Sequence, residues 1–138
     1  MDFKRPVNVL IIDDDEISNF ILIKLLRKIS SDIVIEICLN GELAIEHLLD
    51  LVKRDAKYPD IIFLDISMPV MNGWGFLKQY MHDGFDRILK SRIFVATSSI
   101  FQRDHNHTFS HPVVEDLIVK PFNVEGLRDI LNSNLKLA

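Results

Sequence analysis

The sequence predicts an α/β fold in which a parallel β-sheet carries helices on both faces. Short apolar runs alternate with longer stretches of helical periodicity along all 138 residues. Strands that alternate with helices form parallel sheets, because each crossover packs a helix onto one face of the sheet. No Gly/Ser-rich or Pro-rich linker divides the chain and no repeat is visible, so we expect one domain over residues 1–138.

Composition restricts the class of protein. Apolar residues make up 48% of the chain, enough for a sizeable core, and the formal net charge of -4 gives no basic surface for nucleic acid. No apolar run reaches the about 20 residues that a membrane span needs, and residues 1–6 lack the apolar core of a signal peptide. The single cysteine, Cys38, is expected to be a buried apolar residue. We therefore expect a cytoplasmic protein that contacts neither membrane nor nucleic acid directly.

The first half of the chain contains two strand–helix pairs. Residues 7–12 are apolar apart from Asn8 and predict a buried strand. Alternation over residues 33–37 predicts a second strand with one face more buried. The first helix, over about residues 16–29, is predicted from helical spacing of Ile17, Phe20, Ile21, Leu25 and Ile29. The second is predicted from Leu43, Ala44, His47, Leu48, Leu51 and Val52.

The second half contains three further strands, over residues 61–64, 93–96 and 117–119. A third helix around Trp74 and Leu77 is expected to end near Gly84. A last helix is predicted from Leu127, Ile130, Leu131 and Leu135, with Asn123 as its N-cap. Residues 98–112 are polar and hold three histidines, so the helix that the topology requires there is expected to be short or irregular.

The residues that carry chemistry occur where the expected strands end. They are Asp13, Asp14 and Asp15 after the first strand, Asp65 after the third, Thr97 after the fourth and Lys120 after the fifth. Parallel strands present their carboxyl ends at one edge of the sheet, and ligands bind there. The sheet should therefore bring carboxylates, a hydroxyl and an ammonium group together from distant parts of the chain.

This set of side chains has a physical rationale. Carboxylates held close together repel, and a hard divalent cation such as Mg²⁺ removes the conflict. A metal ion, an ammonium and a hydroxyl can together offset the charge of a phosphoryl group. Asp65 is the natural nucleophile, since carboxylates form aspartyl phosphates. Taken singly, the acidic cluster could be only a helix N-terminus, Asp65 a turn residue and Lys120 a solvated lysine.

Four stretches in the right order make the sequence similar to the receiver domain of two-component response regulators over essentially its whole length. They are Val9–Glu16, Pro59–Pro69 followed by Gly73, Phe94–Ser98 and Lys120–Phe122. The resemblance implies a flavodoxin-like, doubly wound sheet of five parallel strands in the order 2-1-3-4-5, with five helices. It also implies a cis Lys120–Pro121 peptide bond.

The resemblance assigns a role to each residue of the site. Asp13, Asp14, Asp65 and the backbone carbonyl of Ser67 would bind Mg²⁺, with Asp14 more directly on the ion than Asp13. Asp65 would be the phosphoacceptor, Lys120 would contact the phosphoryl group and Thr97 would be the switch hydroxyl. The donor would be a sensor histidine kinase or a phosphotransfer protein. The response would pass to a downstream protein that the sequence leaves open.

One position departs from the family pattern, and rival functions remain open. The family usually places an aromatic residue three positions before the lysine, where this chain has Leu117. A constitutive interaction module that takes no phosphate is one rival. A hydrolase is another, but aspartyl phosphatases commonly carry a second aspartate at the position of Ser67. No glycine-rich loop follows the first strand, which disfavours nucleotide binding. We expect a single receiver without an output domain and without enzymatic activity beyond its own phosphorylation and dephosphorylation.

Residues outside this set are assigned less specific roles. His105, His107 and His111 are interpreted as part of a flexible polar loop, with a zinc site or a pH-sensitive surface as alternatives. Trp74 and Phe76 are expected to pack the third helix at least in part. Phe101 and Phe109 are candidates for contact with a partner, since exposed aromatic side chains favour interfaces.

Overall fold

The structure is a computed structural model that describes residues 5–68, 70–98 and 102–137. Its strands are β1 (Val7–Ile12), β2 (Ile33–Cys38), β3 (Ile61–Asp65), β4 (Arg92–Thr97) and β5 (Val114–Val119). Its helices are α1 (Glu16–Ile29), α2 (Gly41–Lys53), α3 (Gly73–His82), α4 (Phe85–Ile88), α5 (Gln102–Phe109) and α6 (Val124–Leu137). Phe101 lies outside the described residues.

The five strands form one parallel sheet in the order β2-β1-β3-β4-β5. Side chains of β1 alternate between its two faces, with Leu10 and Ile12 in one apolar cluster and Val9 and Ile11 in the other. The first cluster includes the buried faces of α2 and α3, and the second those of α1 and α6. The doubly wound sheet and its strand order are therefore confirmed.

The helix count differs from the expected five. Gly84 follows α3 with a φ of 77°, in the left-handed region that glycine adopts without steric cost. The chain then makes one helical turn, α4, before β4 begins. Phe85 in this turn is buried, which accounts for the turn. Four residues are too few to show helical periodicity, so the sequence did not predict this sixth helix.

Helix α1 forms over the expected residues but buries a different stripe. Asp15 caps it, because its side chain accepts hydrogen bonds from the amides of Ile17 and Ser18. Ile17, Phe20 and Ile21 are 73%, 59% and 44% exposed. The buried stripe consists of Asn19, Leu22, Leu26 and Ile29. Two apolar stripes overlap in this helix, so periodicity predicted the helix and not its buried side.

The polar segment before β5 contains a short helix, as the topology requires, which corrects the interpretation of His105 and His107 as loop residues. Helix α5 occupies residues 102–109, and β5 begins at Val114, earlier than expected. Thr108 is fully buried, whereas Phe109 is 58% exposed. The amide of Gly126 donates to Oδ1 of Asn123, in keeping with the expected N-cap of α6. Among the described helices, none is long and apolar enough to cross a bilayer.

Candidate functional site

The strand ends meet at one edge of the sheet, around a cleft of about 670 Å³. Asp13 directly follows β1, Asp65 is the last residue of β3, Thr97 is the last residue of β4 and Lys120 directly follows β5. The cleft lies between the start of α1 and the segment after β5, and it is lined by Asp14, Asp15, Ile17, Ser18, Ile21, Asp65, Ser67, Ser98, Lys120, Pro121 and Phe122. Polar groups at the ends of four strands and an apolar flank from α1 thus share one opening.

Three carboxylates converge at this edge. One carboxylate oxygen each from Asp13, Asp14 and Asp65 lie within 4.8 Å of one another. Asp13 and Asp65 are buried and Asp14 is exposed. The pKa of Asp65 is raised to about 6, mainly by burial; Lys120 opposes this rise, and the Asp13 carboxylate adds to it. The site therefore concentrates negative charge that the protein's own groups only partly offset.

This donor set fits a hard divalent cation. All three groups offer oxygen atoms, and Mg²⁺ binds through a few carboxylates while it keeps several waters. Burial disfavours the ionised form of Asp65 and raises its pKa, and a bound cation would stabilise that ionised form. Ser67 lies two residues after Asp65 and is exposed at the cleft, and its amide donates to Oδ1 of Asp65 over 3.3 Å.

Lys120 lies in the site and pairs with Asp13. Its Nζ donates to Oδ2 of Asp13 over 2.7 Å, and both side chains are mostly buried. The backbone amide of Lys120 donates to the carbonyl of Thr97 over 2.8 Å, which ties the ends of β4 and β5 together. The Lys120–Pro121 bond is cis, as the resemblance implies. Thr97 is 3% exposed, and the following residue, Ser98, lines the cleft.

Gly73 brings the start of α3 against the backbone of Asp65. A Cβ atom at Gly73 would lie 2.7 Å from the Asp65 carbonyl oxygen and 2.7 Å from the Ile66 Cα. Both neighbours are backbone atoms, so a side chain at Gly73 would force the strand and the helix apart. The glycine in this motif is therefore explained by close packing against the backbone of Asp65 and Ile66.

Asn19 also contacts the site, and the sequence analysis did not single it out. Its side-chain amide donates to the backbone carbonyl of Asp13 over 3.0 Å, from a position that is 4% exposed. The signal in the sequence was a polar residue three positions before the apolar Leu22, in line with Leu26 and Ile29. Recognising it requires knowledge of which stripe of α1 is buried.

Two of the three histidines stack on an aromatic ring of α3. The rings of Trp74 and His107 are parallel within 5°, with centroids 4.0 Å apart. His111 lies 5.6 Å from Trp74 and 5.2 Å from His107. Burial lowers the pKa of His111, and His107 lowers it further. Phe76 is fully buried and Trp74 half-buried, which confirms that they pack α3.

We expect this stack to contribute measurably to stability. Stacked aromatic pairs contribute about 0.5–1.5 kcal/mol beyond the area that they bury. A double-mutant cycle of Trp74→Leu and His107→Leu, followed by urea unfolding, should give a coupling free energy in that range. As a control, Trp74→Leu with His82→Leu should show none, since His82 contacts Asp83 instead. Equal coupling in the two cycles would contradict the stack.

Comparison with known proteins gives the family. The profile of the response regulator receiver domain matches residues 9–132. A two-component response regulator from Cytophaga hutchinsonii superposes with a TM-score of 0.84 at 28% identity, over 96% of this chain and 99% of that one. Response regulator TrrA from Thermotoga maritima, solved in complex with Mg²⁺–BeF, has a TM-score of 0.71 at 21% identity, over 94% and 99% of the two chains, and supports the fold alone.

Among curated proteins, transcription factor prr1 of Schizosaccharomyces pombe is 30% identical over 136 residues. That alignment covers 96% of this chain and 22% of prr1. The probable C4-dicarboxylate response regulator DctR of Halalkalibacterium halodurans is 29% identical over 93% of this chain and 51% of its own length. The chain thus spans a part of these larger proteins. The matched profile covers most of the chain, which therefore belongs to the response regulator receiver domain family.

Proposed function

We propose that the chain is a stand-alone receiver in which Mg²⁺-dependent phosphorylation of Asp65 switches a protein-interaction surface. A sensor histidine kinase or a phosphotransfer protein in the cytoplasm would be the donor. The observation that carries this proposal is the convergence of three carboxylates and Lys120 at one edge of the sheet. The receiver-domain profile over residues 9–132 supports it as well.

The chemistry would be a single phosphoryl transfer. An Asp65 carboxylate oxygen bonds to phosphorus as the bond from phosphorus to the donor's histidine nitrogen breaks, and the electron pair of that bond stays on the nitrogen. Mg²⁺, when bound by Asp13, Asp14, Asp65 and the Ser67 carbonyl, would offset the charge of the phosphoryl oxygens. Lys120 would add a second positive charge after leaving Asp13. No general acid occupies the Ser67 position, so rapid hydrolysis is not expected.

The surface beside the cleft suits a protein as the donor. Ile17 and Ile21 line the same cleft as Asp65, and Phe20 is exposed on the same helix. Exposed apolar side chains grouped beside a polar site are typical of interaction surfaces. A donor that covers them would exclude water from the reacting groups. The phosphoryl group would then pass between two chains through this opening.

The response would begin at the ends of β4 and β5. Thr97 would move toward the phosphoryl group, and the Lys120–Thr97 backbone hydrogen bond joins that residue to β5. Leu117 on β5 is half-buried at the position where the family usually has an aromatic residue. Leu117 has no aromatic ring that could reorient on activation. The response here would therefore depend on Thr97 and the segment that follows it.

Removal of the exposed carboxylate should weaken metal binding. Asp14→Ala is expected to weaken Mg²⁺ binding at least about 10-fold, because one of the three carboxylate ligands is lost and Asp14 is exposed, so the core is not disturbed. Titration calorimetry of the purified protein would measure this. Glu16→Ala removes the same charge from an exposed position on α1 and serves as the control. An Asp14→Ala titration that matches the Glu16→Ala titration would count against the proposed site.

A further inference from the structure

Asn19 is a buried residue whose side chain uses only one of its two polar atoms in a hydrogen bond. It lies on the buried stripe of α1 and is 4% exposed. Its Nδ2 donates to the Asp13 carbonyl over 3.0 Å. Its Oδ1 is buried and has no hydrogen-bond partner among the described residues. The side chain therefore makes one specific contact, and that contact is to the backbone of an acidic residue of the site.

Such an amide is costly in an apolar interior. A buried polar atom without a partner destabilises a protein by about 1–3 kcal/mol. The other members of the stripe, Leu22, Leu26 and Ile29, are apolar, and a leucine at position 19 would continue them without that cost. Stability of the fold alone therefore does not account for an asparagine at this position.

The contact completes the restraint of Asp13. The Asp13 amide donates to the Cys38 carbonyl over 3.1 Å, its Oδ1 accepts from the Asp15 amide over 2.9 Å, and its Oδ2 accepts from Lys120 over 2.7 Å. Its carbonyl lies beyond the last residue of β1, and Asn19 supplies the donor. Every polar group of Asp13 is thus held from a different direction.

The peptide that Asn19 holds is the one that joins Asp13 to Asp14. A hydrogen bond to its carbonyl fixes the plane of that peptide and so the direction in which the chain enters Asp14. The Asp14 side chain is exposed, so its approach to the other carboxylates depends on its backbone. The first turn of α1 is held next to Asp14 as well, since the backbone N–H of Asn19 donates to the Asp15 carbonyl over 2.9 Å.

We propose that Asn19 is a positioning residue that sets the acidic pair for cation binding. The inference rests on the proposed function, because it assumes that the three carboxylates bind a divalent cation. Residues that orient metal ligands typically change metal affinity by 10- to 100-fold when they are replaced. Asn19 would act in the same way through the backbone carbonyl of Asp13. Its buried Oδ1, which has no partner among the described residues, lowers the stability of the fold in return.

The test compares metal binding in variants that keep the fold. Asn19→Leu keeps the branching and the number of heavy atoms of the side chain and removes the donor, and the smaller Asn19→Ala serves if leucine does not fit. We expect Mg²⁺ to bind about 10- to 100-fold more weakly to either variant by titration calorimetry. Leu22→Ala is the matched control: it perturbs the same buried stripe without touching Asp13, and its Mg²⁺ affinity should equal that of the wild type.

A measurement without metal separates positioning from a general loss of structure. Amide hydrogen exchange at Asp15, whose N–H donates to Asp13, should accelerate in Asn19→Leu relative to the wild type, but not in Leu22→Ala. Unchanged Mg²⁺ affinity in both Asn19 variants would overturn the inference and leave the proposed function intact. If the wild type itself binds no Mg²⁺, the proposed function fails, and the inference fails with it.

Discussion

We expect Asp65→Asn to take up no phosphoryl group from a small-molecule donor such as acetyl phosphate, whereas the wild type should gain the mass of one phosphoryl group in the presence of Mg²⁺. Asparagine keeps the shape of the side chain but offers no carboxylate oxygen to bond to phosphorus. Asp65 is the carboxylate that lies at the end of β3 and lines the cleft beside Lys120. Intact-mass spectrometry of the two proteins measures the difference directly.

The control for this experiment is the same substitution, aspartate to asparagine, at a position away from the site. Asp129→Asn removes a carboxylate from the exposed face of α6, and it should accept the phosphoryl group as fully as the wild type. Chelation of Mg²⁺ should suppress uptake in both. Uptake at full stoichiometry by Asp65→Asn would contradict the assignment of the phosphoacceptor.

The second large effect is on stability and depends on pH. The pKa of Asp65 rises on folding from 3.8 to about 6, mainly because of burial. Between these values the folded protein holds a proton that the unfolded chain has lost, so stability falls as pH rises from about 4 to about 6. The loss is at most about 3 kcal/mol and is complete above the folded pKa. Asp65→Asn lacks this ionisation and should be more stable than the wild type at pH 8.

Urea unfolding of the two proteins between pH 4 and pH 8 tests this prediction. The difference between their free energies of unfolding should grow as pH rises, because other groups, such as His111 with its lowered pKa, titrate in both proteins and cancel. Saturating Mg²⁺ should narrow the difference at pH 8 by stabilising the ionised carboxylate. A difference that does not change with pH would show that folding does not raise the pKa of Asp65.

Much of the site could be predicted from the sequence because the topology of a parallel sheet brings the site residues together. Once short apolar runs are recognised as parallel strands, their carboxyl ends must share an edge. Asp13, Asp65 and Lys120 are then neighbours whatever the details of packing. The central strands β1, β3 and β4 were recognisable as apolar runs because helices cover both faces of the sheet there and bury both sides of these strands.

Burial within single helices could not be predicted in the same way. Helix α1 carries two overlapping apolar stripes, and only packing against the sheet decides that Leu22 is buried and Phe20 is exposed. Helix α5 lacks an apolar stripe altogether. It packs through the fully buried Thr108 and the stack of His107 on Trp74, contacts made between residues distant in sequence.

The contacts that tune the site were also beyond the sequence. The resemblance implied that Lys120 contacts a phosphoryl group, and the structure pairs its ammonium with Asp13. The role of Asn19 depends on the path of the chain after β1, where a backbone carbonyl has no neighbouring strand to bond. Sequence patterns report side-chain types, whereas these features depend on backbone groups and on the choice among nearby partners.

The most direct test of the proposed switch is amide NMR of the wild type with beryllium fluoride, a phosphoryl mimic, in the presence and absence of Mg²⁺. We predict Mg²⁺-dependent shifts at Asp65, Thr97 and Lys120 that extend along β4, β5 and α6. An intact spectrum without such shifts would contradict a phosphorylation switch and favour a constitutive interaction module.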